Sequence, residues 1–295
     1  LGTGTVTMGG AGSSGATYIT GQSNTNPFVI NAPESGNIVI CANGVGSGFT
    51  LSGGVTLNGS LTLQTFDNPV SESNKATSIL TGGVTGTGNL LLNNLGLAAN
   101  TISLTTAAVN HTITNVSSGT AASGDTTISA PIGANVTGIT QSSTTSRLVL
   151  SGSNTYACDL TINAGTVKIS NNSNTANDVS TVTIASGGTL DLNYSGTDTV
   201  KKLFIADVEQ PPGVYGAVGS VSPVIGIAQI TGAGTLTVGA PEISIEQPAN
   251  TVIASGGSQD FGSVEVGSNT ELTFTIRNSG QFALNLTGAP LVAIS

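Results

Sequence analysis

Few residues in this 295-residue chain could do chemistry. The single histidine, His111, lies between Asn110 and Thr112 in a strand-like run, and any Ser-His-Asp or Cys-His device would have to use it. No serine sits in a Gly-x-Ser-x-Gly elbow, and one histidine cannot make a His-Glu-x-x-His zinc motif. A lone histidine of this kind reads as a solvated or hydrogen-bonded side chain. The two cysteines, Cys41 and Cys158, are too few to hold zinc by thiolate alone, and mixed ligation would need distant segments to converge. They read either as a disulfide or as two buried thiols acting as small apolar side chains. Val39-Ile40-Cys41-Ala42 has the pattern of a buried strand, which favours the thiols.

Carboxylates offer one further candidate. Asp207 and Glu209 alternate within Leu203–Glu209 and would share one strand face. Retaining glycosidases hold two carboxyls about 5–5.5 Å apart, which this spacing approaches. The competing reading is a solvated strand edge beside Lys201 and Lys202, and the absence of tryptophan also counts against a sugar-processing cleft. Neither an EF-hand loop nor a glycine-rich calcium repeat is present. Gly44-Val45-Gly46-Ser47-Gly48 is followed by no helix, so it does not read as a phosphate cradle. Asn-x-Ser/Thr triplets at Asn58, Asn110, Asn115, Asn135, Asn171, Asn193 and Asn285 are expected by chance at this composition. Phrases such as Thr5-Val6-Thr7 are similar to those of ice-binding β-solenoids, but they are scattered rather than regular. The sequence thus assigns no catalytic, cofactor-binding or metal-binding residue, and the chain is not read as an enzyme.

The elements that would carry any site are strands. Charged residues make up 7% of the chain, against roughly 25% in ordinary domains. Val, Ile and Leu alternate with Thr, Ser and Asn, which fits pleated strands, and no stretch of ten or more residues has helical periodicity. With no tryptophan and only seven Phe and four Tyr, the interior must be filled by small branched side chains. A net charge of −9 and a single adjacent basic pair, Lys201-Lys202, argue against nucleic acid and against an anionic membrane surface. No apolar run approaches the roughly 20 residues of a membrane-spanning helix. The chain begins at Leu1 without a signal-peptide pattern, which reads as a processed product or a fragment.

One phrase recurs: glycine, a small polar residue, then apolar–x–apolar. It stands at Gly59–Leu63, Gly88–Leu92, Gly165–Ile169, Gly188–Leu192 and Gly234–Val238. From Gly165 to Gly188 is 23 residues, and from Gly188 to Gly234 is 46, twice that period, while earlier intervals are looser. A strand-sized phrase at such spacing predicts a solenoid in which successive coils bury one another. Strands are expected at Thr3–Met8, Ala16–Thr20, Phe28–Asn31, Asn37–Cys41, Phe49–Leu51, Val55–Leu57 and Leu61–Gln64. A charged loop, Asp67–Lys75, interrupts the series. Strands resume at Ser78–Leu80, Leu90–Leu92, Thr101–Leu104, Thr112–Asn115, Thr126–Ser129, Arg147–Leu150, Asp159–Ile162, Thr166–Ile169, Val182–Ile184 and Thr189–Leu192. The period places Lys168 beside Asp191 on consecutive coils, as outward-facing neighbours in an exposed ion pair worth about 0–1 kcal/mol.

Leu148–Ser170, with Ser151-Gly152-Ser153-Asn154-Thr155-Tyr156 and Thr161-Ile162-Asn163-Ala164-Gly165-Thr166, resembles the autotransporter-associated β-strand repeat. Ala157-Cys158-Asp159 departs from that pattern at its second corner. Leu190-Asp191-Leu192, Gly213–Ala217 and Thr231–Val238 resemble the end of such arrays. The resemblance is clearest over residues 140–240 and looser over 30–140. It implies a right-handed parallel β-helix (β-solenoid) over residues 1–240, in a secreted or surface-displayed bacterial protein, and no catalytic site. After Gly239 the alternation is cleaner and the charge denser. Phe261–Ser268, Leu272–Arg277 and Asn278-Ser279-Gly280 resemble the start of an immunoglobulin-like domain of the Hydin and spindle-protein type. Such a sandwich takes about 100 residues, so residues 241–295 would be an incomplete one, cut short or completed by another chain.

The expected protein is all-β, without cofactor or metal: an extracellular stalk or adhesive module, or a filament subunit that self-associates. The alternatives are a carbohydrate-active β-helix enzyme and a passive glycan-binding module.

Overall fold

A computed structural model describes residues 2–42, 48–65, 77–95, 102–104, 112–118, 124–171, 180–239, 243–254, 256–260, 262–278 and 284, with backbone alone at 19 and 102–104. Every regular element among them is a β-strand. The chain divides into two units, Leu1–Val238 and Gly239–Ser295.

The first unit holds four sheets. A four-stranded sheet runs β1 (Val6–Met8), β3 (Phe28–Ile30), β6 (Val55–Leu57), β9 (Val84–Gly86). A ten-stranded sheet runs β2 (Ala16–Thr20), β4 (Ile38–Ala42), β7 (Leu61–Gln64), β10 (Leu90–Asn93), β12 (Thr112–Asn115), β14 (Gly138–Gln141), β16 (Asp159–Ile162), β18 (Thr181–Ile184), β21 (Lys202–Ile205), β22 (Val208–Glu209). An eight-stranded sheet runs β25 (Ile230–Gly232), β19 (Gly188–Leu192), β17 (Gly165–Ile169), β15 (Leu148–Leu150), β13 (Thr126–Ile128), β11 (Ile102–Leu104), β8 (Ser78–Leu80), β5 (Phe49–Leu51). The last runs β20 (Thr197–Val200), β26 (Thr235–Val238), β23 (Gly213–Gly216), β24 (Ile225–Gly226).

From β1 to β21 the chain visits the sheets in rotation, and in the ten- and eight-stranded sheets strands pair in parallel with the one laid one pass earlier, up to the antiparallel β22. The physical cause is period-two patterning: Leu61 and Leu63 are buried with Thr62 half-exposed between them, and β16 repeats this with Leu160, Thr161 and Ile162. The inward side chains stack in rank. Leu61, Leu90, Ile113, Ile139, Leu160, Val182 and Leu203 are successive partners, all fully buried. Burying each stabilises by about 1.5–3 kcal/mol relative to exposure.

The recurring glycine phrase does not mark one place in the pass. After Gly59 and Gly88 it forms β7 and β10 of the ten-stranded sheet, whereas from Gly165 and Gly188 it forms β17 and β19 of the eight-stranded one. Gly234 leads into β26 of a separate sheet, and the partner of β19 is β25. The 46-residue interval is therefore not two passes. What the phrase marks is a corner feeding a strand. The 29-residue interval from Gly59 to Gly88 is one pass that includes β9 of the four-stranded sheet, and the 77-residue one from Gly88 to Gly165 spans several passes and a change of sheet.

The repeat-like segment stitches neighbouring passes together. Ser151 N and Thr155 N donate to Ile128 O and Ile132 O, and the buried Asn154 Oδ1 accepts from Ile132 N at 3.0 Å. At Gly152 a Cβ would collide with Ala130 O.

Most expected strands are present within a residue or two. Val84–Gly86 and Gly138–Gln141 are additional. Asp67–Lys75 and residues 43–47 lie outside the described residues. In the second unit, β27 (Ile243–Glu246), β28 (Val252–Ile253) and β29 (Thr275–Asn278) form an antiparallel sheet in the order β28-β27-β29.

Candidate functional site

The carboxylate pair does not survive folding. Leu203–Glu209 is not one strand: β21 ends at Ile205, and β22 returns antiparallel to it. The turn residues Ala206 and Asp207 have φ of 48° and 66°, the left-handed conformation of a two-residue hairpin turn. Asp207 thus sits in the turn while Glu209 pairs with Phe204 across the hairpin, and Glu209 Oε1 is 3.0 Å from Lys202 Nζ. No Asn-Gly or Asp-Gly pair advertises this turn. His111 lies outside the described residues.

The cysteines are free and buried. Cys41 is in β4 and Cys158 precedes β16, five strands along the ten-stranded sheet, so about 4.8 Å per strand separates them far beyond disulfide reach. Burial pushes the Cys158 thiol up to about 12 and also raises that of Cys41. Neither is a poised nucleophile. Among the described residues no cluster of three or more His, Cys, Asp or Glu could hold a metal.

Lys168 and Asp191 are Cα partners, as the period predicts, but form no ion pair. The Asp191 carboxylate leans over Gly232 of β25, toward the strand opposite to Lys168. The ion pair beside this sheet is instead Arg147 with Asp125, at the starts of β15 and β13, bidentate at 2.8 Å in both bonds.

The threonines are less scattered than their sequence suggests. Thr114, Thr140, Thr161 and Thr183 are successive partners on the outer face of the ten-stranded sheet. Leu91 and Phe204 bound this rank. The neighbouring rank is broken where Thr112 is followed by Gly138 and Asp159. The regular threonine array of an ice-binding face is therefore incomplete on this sheet.

A cavity of about 410 Å³ lies at the first pass, lined by Gly2, Thr3, Tyr18, Thr20 and the 22–26 loop. Thr20 is 7% exposed, and its hydroxyl donates to Gln22 O and accepts from Gln22 N, at 3.0 and 3.1 Å. Asn24 Oδ1 accepts from Asn26 N at 2.8 Å, and Asn24 Nδ2 donates to Tyr18 Oη at 3.3 Å. The loop backbone is pinned to β5: Asn24 N donates to Thr50 O, and Ser52 N to Asn24 O. The buried Asn26 amide donates to Gly2 O and Gly4 O, holding the other wall. The Tyr18 ring packs at 57° against Phe28 with centroids 5.6 Å apart. Sequence reasoning missed this site, since its walls come from separate segments brought together by Asn24, Asn26 and the β1–β3 pairing.

No helix among the described residues is long and apolar enough to cross a membrane. No family model, curated protein or solved structure matches the chain.

Proposed function

We propose that the first unit is a right-handed parallel β-helix of the autotransporter-associated kind. It would serve as a stiff extracellular stalk or adhesive module at a bacterial surface, continued from about Pro241 by an immunoglobulin-like domain. The observation that carries this reading is the strand-for-strand parallel register of the ten- and eight-stranded sheets, visited in alternation. Continuous backbone ladders along a sheet of that length resist bending, and the interior is filled without charge. Separation of the Asp207–Glu209 pair removes the best residues of the carbohydrate-active alternative. Antibodies raised against residues 1–238 should label unpermeabilised cells of the native organism or detect the protein in the medium. Labelling only after permeabilisation overturns the extracellular reading.

A second reading, self-association, is favoured by one observation in the second unit. Ile245 and Ile276 are cross-strand partners, Ile243 shares their face, and all three are exposed, at 44%, 39% and 52%. Direct end-to-end stacking is opposed at one end of the first unit, because β22 reverses the strand direction and is only two residues long. Native mass measurement decides: a species of 28.9 kDa alone counts against self-association, and a multiple of it supports it.

A further inference from the structure

We infer that β22 is a latch over the edge of β21, and that β21, once uncovered, pairs antiparallel with β21 of a second copy of this chain. The inference goes beyond both readings above. It concerns the end of the ten-stranded sheet, and the exposed isoleucines of the second unit take no part in it.

The two edges of β21 are held very differently. On one side Lys202 to Ile205 pair residue for residue with Thr181 to Ile184 of β18. On the other, β22 supplies only Val208 opposite Ile205 and Glu209 opposite Phe204, and Gln210 N donates to Leu203 O at 2.8 Å. Pro211 follows, and without an N–H it cannot carry the ladder on toward Lys202. The ion pair of Glu209 with Lys202 joins side chains 50% and 44% exposed, so solvent screens it. Val208 packs against little, being 62% exposed. The turn opposes the latch, since Ala206 has φ of 48°, a left-handed backbone that a residue with a Cβ adopts under strain. Opening β22 therefore breaks few contacts and leaves the pairing of β21 with β18 whole.

The geometry names the occupant of the uncovered edge. Lys202-Leu203-Phe204-Ile205 is a strand-forming run, and its open N–H and C=O groups would be a template for another strand. β22 shows that this edge accepts an antiparallel neighbour. A two-fold axis normal to the sheet offers β21 that same direction from a second copy. Side-chain alternation then sets like against like. Buried Leu203 and Ile205, which packs against the core, meet the same pair on the inner face; Lys202 and Phe204 meet the same pair on the outer one. Within one chain Lys202 Nζ already lies 5.9 Å from the centroid of the Phe204 ring, a contact this register can repeat between copies. Being two-fold, the contact closes at a dimer.

Sedimentation velocity on the 295-residue chain and its variants tests this. Glu209→Lys sets like charges against one another at Lys202, and adding Gln210→Pro removes the N–H that bonds Leu203 O. The double variant should dimerise at least about tenfold more tightly than the unmodified chain. Adding Ala206→Asn and Asp207→Gly to Glu209→Lys supplies the Asn-Gly pair that this turn favours, and should reverse the gain. The second unit is the same in every variant, so any association through it cancels from the comparison. If the double variant fails to fold, Glu209→Lys decides alone, because that side chain is half exposed. The inference is overturned if the weakened latch brings no more dimer than the unmodified chain forms, or if the Asn-Gly turn leaves the gain in place.

Discussion

Lys168 and Asp191 stand opposite one another on β17 and β19, and the register that aligns them owes nothing to their charges. It is set by the pairs around them: Gly165 with Gly188, and the buried Val167 with Leu190 and Ile169 with Leu192. Lys168→Ala should therefore change stability by no more than about 0.5 kcal/mol, whereas Leu190→Ala should cost about 2–5 kcal/mol. Urea unfolding of the two variants measures the contrast; comparable losses would mean that the charge does align the strands.

Gly165 has φ of 68°, and a Cβ there would run into the Ser143 carbonyl oxygen of the preceding pass. Gly165→Ala should destabilise by about 2–4 kcal/mol, combining left-handed strain with displaced backbone. At Gly187 a Cβ meets nothing within 4 Å, so Gly187→Ala should be close to neutral, and urea unfolding of the two variants reads the difference.

Among the buried amides, Asn115 and Gln141 pair across the ten-stranded sheet. Asn115 Nδ2 donates to Gln141 Oε1 at 2.8 Å, and Gln141 Nε2 donates to Ser143 O and Ser146 O, both at 2.8 Å. Gln141→Ala opens a cavity and strands these partners, for a loss of about 2–4 kcal/mol. Replacing Asn115 and Gln141 together by leucine should cost less than the two single changes summed, which a double-mutant cycle reads directly.

Buried thiols with raised proton affinity should be silent. At pH 8 a thiol with the value of Cys158, about 12, is ionised in only about one molecule in ten thousand. The folded chain should give no prompt colour with a thiol-reactive disulfide reagent, and two equivalents in guanidinium. Rapid reaction of the folded chain would contradict the packing around both residues.

In the second unit the Arg277 guanidinium holds the Glu246 carboxyl below its ordinary value of 4.5, with Asn250 N–H assisting. The carboxyl is depressed on folding, so its contribution is present above that value and lost as pH falls through the lower, folded one. Cross-strand NMR signals of β27 and β29 should weaken as the pH falls below the ordinary carboxylate value of 4.5, and Glu246→Gln should flatten that dependence. An unchanged profile in the variant would assign the acid sensitivity elsewhere.

Strand existence was legible wherever both faces obeyed the alternation, as in Leu61-Thr62-Leu63, and the β17–β19 register followed from equal spacing alone. The hairpin at Ala206-Asp207 was hidden because it adopts left-handed backbone without the Asn-Gly or Asp-Gly pair that advertises it. Asn115 and Gln141 were hidden too: a polar residue at an inward position is recognisable only through its partner on another pass. The Tyr18 cavity was invisible for the same reason, since Asn26 reaches back to Gly2 and Gly4. Periodicity reports neighbours along the chain, whereas these features depend on neighbours across it.

In the ten-stranded sheet each strand finds its template in the segment synthesised just before it: Leu160, Val182 and Leu203 pair in turn. Loop closure therefore costs about the same for each such addition, however long the array. A chain fed end-first from a ribosome or a pore never has to wait for a distant partner. Each segment can dock as it emerges, so that assembly becomes a ratchet in which every seated strand discourages the chain from sliding back.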